Sequence, residues 1–336
     1  MKKIIFLKSG MFTTIQDLGR KNCQKHGIPL CGAVDEDNAK IANLIIGNKM
    51  NAPLIEFTYT PPEILFENDL LISITGGNFK PLLNGIPVNN YECTLVKKGD
   101  ILSFAGLVEG FRGYIGINGE IKAEEVFNSK STYTKNSFGG YYGNCLKNGD
   151  VLEIENNFIN ENLIGNKLTP EFFGINYNRK KIRVFLTFEH KDFEISTVNS
   201  FFNSEYIVSN LSDRMGLRLT GNQIIHKDKA DIISSPVFPG VVQVPKDGQP
   251  IILLNDCQVT GGYTRLGVVS KIDFSLLSQK KPGDIISFEI ADFKEMSFLL
   301  KEKERKFLNY EKQLFKTRFF KVTIKNKTYN ISIEEK

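Results

Sequence analysis

The sequence has few of the residues that build disulfide frameworks and metal sites. It contains five cysteines and three histidines in 336 residues. The cysteines are odd in number and scattered, and they form no Cys-x-x-Cys pair. This pattern argues against a disulfide framework or a zinc site and suits a reducing cytoplasm. The histidines form no His-x-His or His-Glu-x-x-His pattern, so we predict neither a metal centre nor histidine-based nucleophilic catalysis.

Motifs for binding nucleotides, nucleic acids and membranes are also missing. Because no P-loop, Gly-x-Gly-x-x-Gly or Gly-x-Ser-x-Gly motif occurs, any ATP chemistry is not self-contained in a P-loop of this chain. The net charge of +5 is spread along the sequence, which predicts no nucleic-acid partner. No run approaches the roughly 20 apolar residues of a membrane span. The short apolar run at residues 4–7 is interpreted as a first strand.

What the sequence does have is a series of short β-type runs separated by Gly, Pro, Asn and Asp. This spacing of turn signals is typical of a mostly antiparallel β fold. The predicted strands are residues 54–60, 70–75, 80–83, 101–104, 112–117, 151–154 and 182–186.

A turn of the form Lys-x-Gly-Asp leads into a strand three times, ending at Asp100, Asp150 and Asp284. Each copy predicts a tight turn with glycine at positive φ. Because the third copy lies far from the other two, we predict two β-domains. Their boundary is placed in the polar, Asn-rich segment 155–181, which is interpreted as a surface connector.

Helical patterns are sparse. A helix is predicted at residues 35–46, and shorter ones at 197–202 and 273–278, the last with Asp273 as its N-cap. A charged helix at 292–315, broken at Lys303-Glu304, carries an apolar stripe typical of a docking face. The period-two alternation of residues 320–333 around an Asn-Lys turn predicts a terminal hairpin.

Polar chemistry concentrates in residues 239–269. Apolar runs at 241–244 and 250–254 predict a hairpin, and a dense polar cluster follows it. The residues of this cluster are Asn255, Asp256, Gln258, Thr260, Gly261, Gly262, Tyr263 and Arg265. In one interpretation the paired glycines aim backbone N–H groups at a ligand, while Arg265 binds a carboxylate or phosphate. In the other, this is a polar loop whose Asn and Asp only cap a turn.

Three further places offer similar choices. Asp17 and Arg20 belong to a ligand loop, or they pair only with each other. Alternation puts Arg214 and Arg218 on one strand face, where they bind an anion or form a structural ion pair. Cys31 precedes a helix N-terminus that is able to hold an anion and to lower the thiol pKa, but most such cysteines are small buried apolar residues.

Five motifs together carry a resemblance to a known family. They are TTIQDLGR (13–20), GIPLCGAVD (27–35), ANLIIGN (42–48), SDRMGLRL (212–219) and PGVVQVPKDGQPIILLNDCQVTGGY (239–263). In this order, over about residues 1–290, the chain resembles the family of the carboxyltransferase-like C component of bacterial 5-oxoprolinase. That family is also called KipA or allophanate hydrolase subunit 2, and it is similar to the carboxyltransferase domain of urea carboxylase.

The resemblance implies a mainly β fold with two cyclophilin-like β-barrel domains and a few short helices. We place the domains at residues 1–160 and 180–290, followed by a C-terminal helix and hairpin tail at 291–336. It also implies one component of a cytoplasmic, ATP-dependent hydrolase that opens 5-oxo-L-proline to L-glutamate with partner subunits A and B. ATP, shared with the complex, would activate the lactam oxygen as a phosphorylated intermediate, and water would then open the ring.

Within that scheme we assign roles from local chemistry. Arg214 or Arg265 would bind the substrate carboxylate, the amides of Gly261 and Gly262 would stabilise oxyanion charge, and Asp256 would orient water or the ring N–H. The predicted catalytic residues are Asp256, Arg265, Gly261 and Gly262. The predicted substrate-binding residues are Arg214, Arg218, Gln249, Asn255, Gln258, Tyr263, Asp17 and Arg20. No metal is predicted.

The sequence departs from the family pattern at Thr187-Phe188-Glu189-His190, where a Pro-Gly-Pro turn is usual. The tail hairpin is similar to the opening strands of a biotin carrier domain, but the sequence has no Met-Lys-Met loop after it, so any biotin is expected on another chain. Two other functions stay open. One is a biotin-dependent carboxyltransferase acting on urea or another small amide. The other is a non-catalytic regulator that binds the KipI-like B component.

Overall fold

The first half of the chain forms two antiparallel sheets. The structure is a computed structural model that describes residues 1–324 and 327–334. The strands of this first β-unit are β1 (Lys2–Lys8), β2 (Phe12–Gln16), β3 (Leu54–Thr58), β4 (Glu63–Phe66), β5 (Leu70–Asn78), β6 (Pro81–Leu83), β7 (Ile86–Pro87), β8 (Thr94–Val96), β9 (Ile101–Phe104), β10 (Glu109–Ile117), β11 (Glu120–Ile121) and β12 (Val151–Glu155). One sheet has the order β11-β12-β1-β4-β9-β6-β7 and the other β2-β3-β10-β5-β8.

Alternation of apolar residues explains why these two sheets enclose one core. In β1, Ile4 and Phe6 are fully buried, Ile5 between them is only partly buried, and Lys3 and Leu7 on either side are exposed. Buried apolar residues of both sheets belong to the same cluster, including Phe57 of β3. Residues two apart on a strand share a face, so each sheet turns one apolar face inward. The predicted mainly β fold is confirmed.

The second half closes into a barrel. The strands of this second β-unit are β13 (Lys181–Leu186), β14 (Glu205–Val208), β15 (Gly216–Thr220), β16 (Asp231–Pro236), β17 (Val241–Val244), β18 (Ile251–Leu253), β19 (Thr260–Val269) and β20 (Ile285–Ile290). Seven of them follow the order β13-β20-β14-β15-β18-β17-β19, and β13 also pairs with β19, which closes the ring. Strand β16 attaches to β19 outside the ring. The predicted hairpin at 241–254 is confirmed by the pairing of Val242 with Ile252.

The three predicted Lys-x-Gly-Asp turns share one geometry. Their glycines, Gly99, Gly149 and Gly283, have φ of 92°, 88° and 88°. In each copy the Asp carboxylate accepts a hydrogen bond from the backbone N–H of the Lys three residues earlier, at 2.7, 2.7 and 3.0 Å. The carboxylate therefore closes each turn while glycine supplies the left-handed conformation.

The connector between the units differs from its prediction. It was expected to be a surface segment, but four of its apolar residues are buried: Leu163, Leu168, Phe173 and Ile175. Phe173 stacks on Phe307 with ring centroids 3.9 Å apart. The prediction followed the many asparagines of the segment and gave too little weight to its apolar residues. Burial of these side chains fixes the connector against the helices.

The helices are α1 (Glu36–Ile45), α2 (Ile195–Asn203), α3 (Phe274–Ser278) and α4 (Phe293–Lys316). Their predicted positions are confirmed to within a few residues. Asp35 caps α1 by accepting a hydrogen bond from Asn38 N at 3.2 Å. Asp273 precedes α3, but its carboxylate forms no cap and instead binds Arg183, whose Nε donates to Oδ2 at 2.8 Å.

The break predicted in the last helix is wrong, because α4 runs through Lys303 without interruption. Lys303 is 4% exposed and donates to the carboxylate of Asp37 on α1 at 2.6 Å, and Ser275 donates to the same oxygen at 2.7 Å. A buried charge on the apolar face of a helix is tolerated when it is paired in this way.

The predicted tail hairpin is confirmed as β21 (Thr317–Ile324) and β22 (Lys327–Glu334), which pair antiparallel. Asn326 of the predicted Asn-Lys turn lies outside the described residues.

Candidate functional site

A cleft of 660 Å³ lies where the two β-units meet. The first unit contributes residues 76–78, 90–91 and 108–110, the connector 169–171 and 177–178, and the second unit residues from 276 to 285. The cleft falls in the size range of small-molecule sites, and such sites often lie between domains.

An irregularity in β10 opens this part of the first unit. The register between β10 and β5 shifts between Glu109 and Gly113. Gly110, within that stretch, has φ of 88°, and a Cβ there would lie 2.6 Å from the Cα of Gly77. Only glycine allows this close approach of the two strands. The bulge therefore leaves backbone N–H groups of β10 free of their own sheet.

Gln279 of the second unit accepts hydrogen bonds from these N–H groups of β10. Its Oε1 accepts hydrogen bonds from the backbone N–H groups of Phe111 and Arg112, both at 3.0 Å, and its Nε2 donates to Asp35 Oδ2 at 2.8 Å. Gln279 is 8% exposed, so these bonds are shielded from water. The glutamine side chain thus fixes the chain after α3 at the mouth of the cleft.

The floor of the cleft is a hydrogen-bonded group around Asp35. Tyr177 donates to Asp35 Oδ2 at 3.1 Å, and Asn38 Nδ2 donates to the same oxygen at 2.6 Å and to the Tyr177 hydroxyl at 2.5 Å. Tyr91 donates to Asn38 Oδ1 at 2.9 Å. Every member is held by at least one other, so the floor is rigid.

Burial sets the protonation of this group. It raises the pKa of the fully buried Asp35, and the negative charge of Asp37 raises it further. Burial also raises the pKa of Tyr91 and of Tyr177 above the usual tyrosine range. Both hydroxyls therefore stay protonated at neutral pH, and each is engaged in hydrogen bonds within the floor.

The predicted residues Arg214 and Asp256 lie elsewhere, in a buried ion network between the units. Arg214 donates from Nε and Nη2 to the Asp256 carboxylate, both at 2.9 Å, from Nη1 to Glu56, and from Nη2 to Gly32 O at 2.7 Å. Arg214 and Asp256 are 7% and 5% exposed. Burial lowers the pKa of Arg214, but the charges of Asp256 and Glu56 raise it more, so the pKa ends well above its usual value. This geometry leaves neither side chain a free edge for substrate.

Asn255 supports the same contact between the units. Its Nδ2 donates to Cys31 O at 3.1 Å and to Ala33 O at 2.9 Å, while Cys31 N donates to Asn255 O at 2.8 Å. Burial raises the pKa of the Cys31 thiol to about 12. Cys31 is therefore a buried neutral thiol, not one activated by the helix.

Arg265 forms an ion pair with Glu189, which belongs to the stretch 187–190 where the sequence departs from the family pattern. Its backbone N–H and Nε donate to Glu189 Oε2 at 2.9 and 2.8 Å, and Nη2 donates to the other carboxylate oxygen. Gly261 and Tyr263 lie within β19, opposite Ser235 and Asp231 of β16. The polar run from residue 260 is therefore strand, not loop, although Gly262 and its neighbours stay partly accessible.

Asp17 and Arg20 do not pair with each other among the described residues. Asp17 accepts from Gly19 N at 2.8 Å, Ser129 Oγ at 2.7 Å and Lys130 N at 2.7 Å. Arg20 is fully buried, donates to Val126 O at 3.2 Å and Ser131 O at 2.5 Å, and lies 4.7 Å from the Phe138 ring centroid. The simple surface ion pair considered from the sequence is therefore wrong. Both side chains hold the segment after β11.

The remaining predicted residues are dispersed. Arg218 is exposed on β15, whereas Arg214 lies before that strand and is buried, so the prediction that they share a strand face is wrong. The Gln249 side chain forms two hydrogen bonds with the backbone of Gly221: its Oε1 accepts from Gly221 N at 2.8 Å, and its Nε2 donates to Gly221 O at 3.1 Å. Gln258 and Tyr263 are exposed. None of the twelve predicted site residues lines the described cleft.

The residues that do line the cleft left weak signals in the sequence. Gly76-Gly77 directly follows a predicted strand, and Gln279 and Lys280 lie between a predicted helix and the third Lys-x-Gly-Asp turn. Tyr91 and Tyr177 occur in ordinary polar surroundings. These signals were outweighed by the denser polar run at 255–265.

Across the described part of the chain, no helix combines the length and apolar character needed to span a membrane.

Both a protein-family model and a solved structure match this chain. The family model for the carboxyltransferase domain, subdomain A and B, matches residues 26–290. The crystal structure of the K. lactis urea amidolyase superimposes with a TM-score of 0.83 at 26% identity, covering 92% of this chain and 20% of that one. The chain therefore belongs to the carboxyltransferase domain family.

Its relatives include whole bacterial proteins. The C component of the 5-oxoprolinase of Escherichia coli K12 is 34% identical over 307 residues, which are 91% of this chain and 96% of that protein. The corresponding 5-oxoprolinase component of Haemophilus influenzae is 33% identical over 291 residues, 87% of this chain and 92% of that protein. The urea amidolyase of Saccharomyces cerevisiae is 32% identical over 318 residues, and the match spans only 17% of it.

Proposed function

We propose that this protein is the C component of an ATP-dependent 5-oxoprolinase, which opens 5-oxo-L-proline to L-glutamate with partner subunits A and B. The observation that carries the proposal is the end-to-end match with the C component of bacterial 5-oxoprolinase, which covers 96% of the E. coli protein. The match with yeast urea amidolyase covers 17% of that protein, so it matches one region of a larger enzyme.

The cleft supports a small polar amide as the substrate. It pairs a hydrogen-bonded tyrosine floor with backbone at Gly76, Gly77 and Gly110, where no side chain keeps a ligand away. A cyclic amide needs donors for its carbonyl oxygen and an acceptor for its ring N–H. In this proposal the exposed backbone of the cleft provides both, within 660 Å³.

The charges around the cleft do not fit ATP. Its lysines are Lys280 and Lys281, and Lys281 is paired with Asp284 at 2.5 Å. Glu109 and Glu171 line the same cleft and would repel a triphosphate. In this proposal ATP is bound by the partner subunits. Biotin has no part in it.

A carboxyltransferase that acts on urea or another small amide is the second candidate. It is favoured by the TM-score of 0.83 with the K. lactis urea amidolyase. In that case a biotin carrier on another chain would deliver the carboxyl group to the same cleft.

The test is glutamate release from 5-oxo-L-proline and ATP, with this protein and its cognate subunits A and B, each omitted in turn. We expect glutamate only when all three are present. Equal release without this chain would overturn the proposal, and carboxyl transfer or a regulatory role would replace it.

A substitution in the cleft refines this test. Asn178→Trp places a large ring at the cleft wall, where Asn178 is exposed, and we expect turnover to fall at least about tenfold because the substrate is excluded. Asn210→Trp is the matched control, since Asn210 is also exposed but lies outside the cleft. Equal activity of both variants would remove the cleft from the reaction.

A further inference from the structure

The two arginines predicted to bind a substrate carboxylate are already paired with carboxylates of the protein. Arg214 is enclosed by Asp256 and Glu56, and Arg265 is paired with Glu189. An arginine held on several sides by carboxylates has no free charge for a ligand. If the ligand of the cleft carries a carboxylate, another cation has to receive it.

Lys280 is the cation that the cleft leaves available. It is half-buried and lines the cleft, and within the described residues no carboxylate lies within ion-pair distance of it. Its neighbour Lys281 is different, because Lys281 Nζ donates to Asp284 at 2.5 Å. A half-buried cation without an acidic partner is less favourable than a paired one, and a bound anion would remove that cost.

The backbone around Lys280 is fixed on both sides. Gln279 is anchored to the first unit through Phe111, Arg112 and Asp35. On the other side, Lys281 N donates to Asp284 Oδ2 at 3.0 Å within the rigid third turn. The Lys280 side chain is therefore presented to the cleft from a constrained main chain, which lowers the entropy cost of binding a ligand.

Charges at the rim define the class of ligand. Glu109 and Glu171 line the cleft and are exposed, so a polyanion is disfavoured there. With Lys281 paired to Asp284, Lys280 is the one lysine of the described cleft residues without an acidic partner, so a ligand with a single carboxylate is the most that it can neutralise.

We propose that Lys280 is the specificity-determining residue of the cleft and binds the carboxylate of a small amide substrate. The proposal rests on the proposed function for the use of the cleft, but it concerns the ligand class and is tested without turnover. A charge-assisted hydrogen bond in a partly buried site strengthens binding by about tenfold or more.

The test compares two lactams that differ only in the carboxylate. Binding of 5-oxo-L-proline and of 2-pyrrolidinone to the purified full chain is measured by calorimetry or ligand-observed NMR. We expect the wild type to prefer 5-oxo-L-proline by about tenfold. Lys280→Met should abolish this preference, and Lys280→Arg should retain most of it. Lys281→Met should leave it intact, since that lysine is already paired.

The outcomes separate the two proposals. A wild type that binds neither lactam, or both equally, overturns the role of Lys280, as does a Lys280→Met protein that keeps the preference. An unchanged melting temperature of Lys280→Met shows that the loss is not due to unfolding. If the carboxylate preference depends on Lys280 but the assembled complex releases no glutamate, the ligand class stands and the 5-oxoprolinase function fails. If glutamate is released and KM is unchanged in Lys280→Met, the function stands and Lys280 is excluded.

Discussion

Gln279 Nε2 donates a 2.8 Å hydrogen bond to Asp35 Oδ2, which joins the end of α3 in the second β-unit to the N-cap of α1 in the first. The two residues are 244 positions apart in the chain. The same glutamine accepts two N–H groups released by the bulge in β10. The cleft therefore exists in this form only when the two units are docked, and Gln279 is the side chain that links its two walls.

Replacing Gln279 by Ala should lower the free energy of unfolding by about 2–4 kcal/mol, because it leaves two buried N–H groups without an acceptor. Urea denaturation measures the change. Gln258→Ala is the control, since Gln258 is exposed and its side chain has, among the described residues, a single 3.5 Å hydrogen bond to Gln243, and it should change stability by less than about 0.5 kcal/mol. Equal losses in the two variants would contradict the linking role of Gln279.

Arg214→Met should cost about 3–5 kcal/mol, because it leaves the carboxylates of Asp256 and Glu56 buried without their cation. Arg218→Met removes an exposed guanidinium and should cost less than about 0.5 kcal/mol. Chemical denaturation of both variants gives the comparison. A stable Arg214→Met protein with a raised KM would instead return Arg214 to the substrate site.

The Lys303–Asp37 pair should behave as a coupled unit. Lys303→Met alone should destabilise the protein by about 3 kcal/mol, because Asp37 stays buried without a partner charge. The double variant Lys303→Met with Asp37→Leu should lose less than the sum of the two single variants, which a double-mutant cycle measures. Lys301→Met, on an exposed position of the same helix, is the control. Strict additivity would show that the pair does not hold α4 in place.

Glu189 should make stability depend on pH. Burial raises its pKa, but the hydrogen bonds and charge of Arg265 lower it more, so the folded-state pKa is depressed. The contribution of the pair is therefore present above the unfolded pKa of about 4.3 and is lost as pH falls through the folded pKa. Glu189→Gln should be less stable than the wild type by up to about 1 kcal/mol at pH 7, and the difference should vanish once the pH has fallen below the folded-state pKa of Glu189. Thermal unfolding at a series of pH values tests this, with the exposed Glu194→Gln as control. A difference that persists at low pH would show a cause other than the charge of Glu189.

The strands, the turns and the family were accessible from the sequence. Short apolar runs with period two define strands through local geometry, and each Lys-x-Gly-Asp turn is closed by a carboxylate three residues from its donor. The N-cap of the helix from Glu36 to Ile45 is Asp35, whose side chain accepts a hydrogen bond from the backbone N–H of Asn38, three residues later. These features depend on neighbours in the chain, so a sequence pattern suffices to predict them.

The candidate site was not accessible in this way. The sequence groups Asn255, Asp256, Gly261 and Arg265 within eleven positions, but the fold divides them between a buried contact of the two units and strand β19 of the barrel. A guanidinium or a carboxylate has the same local signature whether it binds substrate or a structural partner. The partner decides, and Glu56 is 158 positions away from Arg214.

The sequence by itself therefore determined a mainly β protein of the carboxyltransferase domain family, with its turns, helices and tail hairpin. The tertiary structure alone decided that Arg214, Asp256 and Arg265 are paired within the protein, and that Gln279, Tyr91 and Tyr177 meet at a cleft where Lys280 is left without an acidic partner among the described residues. The physical reason is the separation along the chain over which each interaction acts. Periodicity and turn chemistry act over a few residues, whereas charge pairing and burial depend on side chains that only folding brings together.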